Sequence, residues 1–100
     1  MTRQAKMARG ELRNPINGEH LTRGDLKIVL VDEQPRYAAT LTVAGYHPEL
    51  DGRKHWLDLG HDIEGEVFLS IAEFPETSRT VFAVVLSDPA WDDIDWFNVL

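Results

Sequence analysis

The 100-residue sequence contains no cysteine. That absence excludes disulfides, zinc–thiolate sites, iron–sulfur clusters and thiol nucleophiles together. It also favours a reducing compartment, because small secreted domains commonly lean on disulfides. Long apolar runs are missing too. The longest, Val81–Leu86, is far short of a membrane-spanning helix. The first twenty residues hold Arg3, Lys6, Arg9 and Arg13 but no apolar stretch that could form a signal core. The expected location is the cytoplasm, or the host cytoplasm if the protein is phage-encoded.

The motifs of catalysis are also lacking. Ser70, Ser78 and Ser87 have no nucleophile-elbow context, and neither a P-loop nor a dinucleotide fingerprint occurs. Paired carboxylates could do acid–base work across a cleft. With 17 acids in the chain, however, such pairs arise by chance. Three histidines, His47, His55 and His61, lie near Asp58, Asp62 and Glu64. Imidazole and carboxylate suit zinc or a related ion. Yet there is no HExxH, and on a strand His55 and Asp58 would face opposite ways. The sequence therefore implies a non-enzyme with no metal and no cofactor.

What is present is ordinary globular composition, with 43% hydrophobic and 27% charged residues, enough for one domain with its own core. The charge is uneven. Residues 1–24 carry five basic and two acidic residues; residues 25–100 carry five basic and fifteen acidic ones. The formal net charge of −7 thus divides into a basic N-terminal arm and an acidic body. Such a body repels nucleic acid and attracts basic surfaces, an attraction that salt weakens.

Periodicity points to strands. Residues 1–12 show only a thin helical stripe of Ala5, Ala8 and Leu12, interrupted by Gly10, which predicts a frayed helix or a mobile arm. Asn17-Gly18 signals a small hairpin, since both residues tolerate positive φ. Leu26–Val31 is apolar on both faces, as an interior strand is. Tyr37–Ala44 alternates with period two, the pattern of a half-buried antiparallel strand. Lys54–Leu59, Glu66–Glu73 and Arg79–Leu86 follow, separated by polar turns; Val67, Leu69 and Ile71 form one core face. Asp88 suits an N-cap and Pro89 a first helical position, so one helical turn over 89–94 is expected. Trp96–Leu100 reads as a short terminal strand or packed tail. Five or six strands with turns every eight to twelve residues predict a mainly β fold, an antiparallel sandwich or small barrel. The division is an arm over 1–24 and an acidic β domain over 25–100.

Two acidic groups stand out as candidate contact surfaces. The first joins Trp91, Asp92, Asp93, Asp95 and Trp96, with tryptophan as a hot-spot residue and the carboxylates pairing with a basic partner. The second is Asp58, Asp62, Glu64 and Glu66. Rows of carboxylates can imitate duplex phosphates. Tyr46 and His47, in the loop 45–53, are further contact candidates, because loops on a rigid scaffold commonly carry recognition. The expected function is a small acidic inhibitor or immunity-type protein that blocks a basic, nucleic-acid-processing or toxic protein. Phage anti-defence inhibitors and nucleic-acid mimics share this composition: small, acidic and cysteine-free. Two other readings stand beside it. One is an assembly subunit of a virion or complex, associating as a homo-oligomer through a strand edge or the arm. The other is a small-ligand or metal-binding barrel.

Overall fold

The computed structural model describes residues 3–31, 36–73 and 78–96. Six strands, β1 (Arg3–Arg13), β2 (His20–Val31), β3 (Arg36–Ala44), β4 (Arg53–Asp58), β5 (Glu64–Ile71) and β6 (Arg79–Leu86), form a closed antiparallel barrel in the order β1-β2-β3-β6-β5-β4. Two short 3-10 turns, Pro48–Leu50 and Pro89–Asp93, complete the fold. The first three strands form a meander, and β4 returns to lie beside β1, which is a Greek key. The mainly β, barrel-type expectation therefore holds, with closure choosing barrel over sandwich. No helix among the described residues is long and apolar enough to cross a membrane.

Alternation fills the interior. Leu26 and Ile28 point inward from β2, Leu41 and Val43 from β3, Leu57 from β4, Val67 and Leu69 from β5, and Phe82 and Val84 from β6, all buried. Directly opposite residues of an antiparallel pair share a face, so the register Ala8↔Leu26, Gly10↔Gly24 and Leu12↔Thr22 assigns Ala8, Gly10 and Leu12 to the inside. The flexible-arm expectation for residues 1–24 is thus corrected. Residues 3–13 are a full barrel stave, and residues 20–24 begin β2 rather than end an arm. A Cβ on Gly10 would stand 2.7 Å from Leu57 Cδ1 and 2.9 Å from Leu59 Cδ2. Small residues occupy this face because leucines from β4 and its turn fill the space above them.

The Asn17-Gly18 hairpin is present, as the link between β1 and β2. Its loop is wider than two residues. Asn14 Oδ1 accepts from the N–H groups of Ile16 and Asn17, Gly18 N–H donates to Asn14 O at 2.9 Å, and Gly18 takes φ of 72°. This is the Asx-turn chemistry expected of asparagine.

The crossing from β3 to β4 spans one end of the barrel and is pinned at several points. Buried Thr80 donates its hydroxyl to Gly45 O at 2.7 Å and accepts from His47 N–H at 3.0 Å. Asp51 Oδ1 accepts from Ile71 N–H at 2.7 Å. Leu50 of the first 3-10 turn drops into the core. His55 faces inward and is 4% exposed; its Nε2 lies 2.9 Å from Leu50 O. A carbonyl can only accept, so the Nε2–H tautomer donates here. Of the turns expected at 32–35 and 74–78 and the tail expected at 96–100, residues 32–35, 74–77 and 97–100 lie outside the described residues.

Because β1 supplies one wall and one side of the closing seam, its removal is structurally equivalent to opening the barrel. A chain lacking residues 1–13 is expected to lose cooperative thermal unfolding, followed by circular dichroism. A flexible arm would leave the transition unchanged.

Candidate acidic interface

The site is built by the chain after β6. Asp88 caps the second 3-10 turn: its Oδ1 accepts from Ala90 N–H at 2.9 Å, and Pro89 occupies the first turn, as the sequence suggests. The same carboxylate reaches across to β5, where Oδ2 accepts from Glu66 N–H at 3.3 Å. Trp91 Nε1–H donates to Glu66 O at 2.8 Å. Its ring lies directly over Gly65, where a Cβ would come within 2.9 Å of Cε2 and Nε1. Trp96 stacks on Trp91 with centroids 5.9 Å apart and planes 22° apart.

This packing corrects one expectation. Trp91 is 1% exposed and Trp96 2%, so neither belongs to a contact surface. They fill the end of the barrel. Burying one tryptophan removes about 150–250 Å² from water, a gross gain of roughly 4–6 kcal/mol at 25 cal/mol per Å². Glycine inside a strand costs only about 0.5–1 kcal/mol. Seating Trp91 over Gly65 is therefore favourable by a wide margin.

The docking also joins what the sequence kept apart. Asp58 and Glu64 are register partners on β4 and β5, and Asp62 sits in the turn between them. Gly65 and Glu66, next along β5, carry the 88–91 segment. So the 58–66 acids and the 88–95 acids occupy one end of the barrel. Their roles differ. Asp58 accepts from Gly60 N–H at 2.8 Å and lies 3.7 Å from Arg13. Glu66 lies 3.7 Å from Lys54. Asp88 is occupied by its capping bonds. Asp62, Glu64, Asp92 and Asp93 are exposed and form no ion pair among the described residues. Asp95 is also exposed. The turn is tightly wound: Gly60, His61 and Asp62 take φ of 80°, 53° and 62°. Histidine and aspartate tolerate this left-handed region better than most residues.

Tyr46 and His47 stand elsewhere. They lie in the crossing at the Arg53 end of β4, whereas the acidic end is at Asp58. Tyr46 is exposed, and His47 Nδ1 is 2.9 Å from Glu49 Oε1, which holds the Glu49 carboxyl below its ordinary range. The three histidines do not converge. Among the described residues, no three histidine or carboxylate side chains are placed to hold a metal ion.

A network the sequence did not reveal lies beside this surface, on the closing seam. The seam has three pairs, Glu11↔Asp58, Leu12↔Leu57 and Arg13↔Trp56. Glu11 is its electrostatic hub. Arg13 Nε donates to Glu11 Oε1 at 2.6 Å, His20 Nδ1 lies 3.4 Å from the same oxygen, and Arg23 lies 3.9 Å from Oε2. The Arg13 bond, more than any other contact, holds the Glu11 carboxyl below the usual glutamate range, and Arg13 is held up in turn. Alternation places these side chains outward, so no hydrophobic pattern announces them.

No family model, curated protein or solved structure matches the chain.

The seam predicts an acid dependence. Glu11 has a depressed pKa in the fold, so its contribution is present above the unfolded glutamate pKa and is lost as pH falls through the folded value. Glu11→Gln is expected to lower the denaturation midpoint at neutral pH. The difference from wild type should shrink at pH values below the carboxylate range. Urea titrations at the two pH values check this; a pH-independent difference contradicts it.

Proposed function

We propose that this chain is a small non-enzymatic binding protein that covers and blocks a basic surface on a protein partner, of the nucleic-acid-processing or toxic kind, in the cytoplasm. The observation that carries the reading is the union of Asp62, Glu64, Asp92 and Asp93, exposed and free of ion pairs among the described residues, at one end of a closed barrel. These carboxylates do not have to give up an internal ion pair to meet a partner. Their field draws a cationic surface from a distance and repels phosphate, so the partner is a basic protein and not nucleic acid. The same carboxylates can occupy the positions that duplex phosphates take on such a partner.

Magnitudes define what this surface does. An exposed ion pair is worth roughly 0.2–1 kcal/mol. Four such pairs speed encounter and select the partner, while tight binding needs additional packed contact. The cysteine-free composition is compatible with a reducing compartment.

The test uses the immobilised full chain and lysate of the source organism, with captured proteins identified by mass spectrometry. The affinity of the captured protein is then measured for wild type and for the triple variant Asp62→Asn, Asp92→Asn, Asp93→Asn. The expected partner is basic and is lost at high salt. Its affinity for the triple variant is expected to fall by about three- to a hundred-fold, the range for three exposed pairs. A partner indifferent to both the salt and the triple variant would falsify the reading.

A further inference from the structure

At the other end of β4, a half-open groove of about 310 Å³ runs between the β1–β2 hairpin loop and the first 3-10 turn. Its volume is at the lower end of the range for binding clefts. Leu50 and His55 form part of its buried wall, Ile16 and Leu21 its outer lip, and Arg53 stands on its rim. Three features set it apart from the rest of the surface.

First, Ile16 is 94% exposed and Leu21 39%, two of the five large apolar side chains left in water among the described residues. Single exposed apolar residues are unremarkable, but two bordering one apolar cleft make a patch. Second, exposed Arg53 has no ion pair among the described residues, although the chain has 17 acids to 10 lysines and arginines. The nearby acid, Glu49, is turned to His47 at 2.9 Å, and Lys54 is turned to Glu66 at 3.7 Å. Third, His55 is buried with Nε2 on Leu50 O, and its Nδ1 has no hydrogen-bond partner among the described residues. A buried acceptor without a partner costs free energy that a donor would recover.

We propose that this groove docks an extended segment of a protein partner bearing apolar side chains next to carboxylates. The apolar side chains cover Leu50, Ile16 and Leu21, and a carboxylate pairs with the Arg53 guanidinium. A plain anion leaves the lip uncovered, and a plain hydrocarbon leaves Arg53 unpaired. The groove has the opposite charge preference from the acidic end, so this proposal stands or falls separately from the function proposed above.

The probe is a blocked six-residue peptide with two leucines flanked by aspartates, compared with the same peptide carrying asparagines. Each is titrated into the ¹⁵N-labelled full chain and followed by NMR. The expected result is shifts confined to the amides of Ile16, Leu21, Leu50 and Arg53 and to the His55 ring nitrogens. The aspartate peptide should bind up to about five-fold more tightly than the asparagine peptide, as an exposed ion pair allows. Arg53→Gln should abolish that difference, and Ile16→Ser should weaken both peptides. Equal affinity for the two peptides, shifts at the acidic end instead, or no shifts at the limit of solubility overturns the proposal. Shifts in the groove on concentrating the chain alone would name a second copy as occupant and also overturn it.

Discussion

Trp91 rests on Gly65 and hydrogen-bonds the carbonyl of Glu66, and both the fold and its most charged surface depend on that contact. A six-stranded barrel needs its ends closed, and here the end beside the β4–β5 turn is filled by the Trp91–Trp96 stack. The indole has an apolar body and one donor, so its burial is favoured where an acceptor waits. Glu66 O supplies the acceptor and Gly65 the space. The carboxylates on either side of Trp91 are then carried to β5, and one of them, Asp88, adds its own bond there by accepting from Glu66 N–H.

The rest of the barrel is held by short, local devices. Closure uses three residue pairs between β1 and β4, reinforced outside by Glu11, Arg13, His20 and Arg23. The crossing at the far end uses Thr80, Asp51 and His55 as side-chain anchors on backbone groups. Both devices answer the same need. A crossing or seam with few ladder bonds must satisfy its backbone groups by other means.

The elements most legible in the sequence were those whose two faces differ. Tyr37–Ala44 and Val67–Ile71 alternate, and the structure has strands there. Asn17-Gly18 marked a turn because only certain residues accept positive φ, and Asp88-Pro89 marked a cap for the same kind of local reason. β1 was illegible because Leu12 is the one large apolar residue on an inward face that otherwise holds Ala8 and Gly10, and Lys6 shares the face of Ile28 at the barrel mouth. Its small residues make sense only against Leu57 and Leu59, which come from far along the chain. The acids of the candidate site were legible as composition, but the burial of Trp91 and Trp96 was not. Tryptophan among aspartates reads as a contact surface until its seat is known. Gly65 reads as part of the polar turn before Glu66; only in β5 does it lie inside a strand, where a glycine marks close approach of another group. The groove beside Arg53 joins a hairpin loop to a crossing turn, and no local pattern connects those segments.

A barrel closed by the Trp91–Trp96 stack carries its exposed carboxylates and its groove at opposite ends of β4. The acidic end depends on the seating of Trp91, whereas the groove depends on the hairpin loop and the first 3-10 turn. The most direct test of this account is hydrogen exchange at the Trp91 indole N–H, read by NMR in the native chain. Protection comparable to the slowest amides of β5 is expected, because the donor is buried and bonded to Glu66 O. Exchange as fast as that of a free indole would contradict it: Trp91 would then lie in solvent, and the two acidic segments would not share a surface.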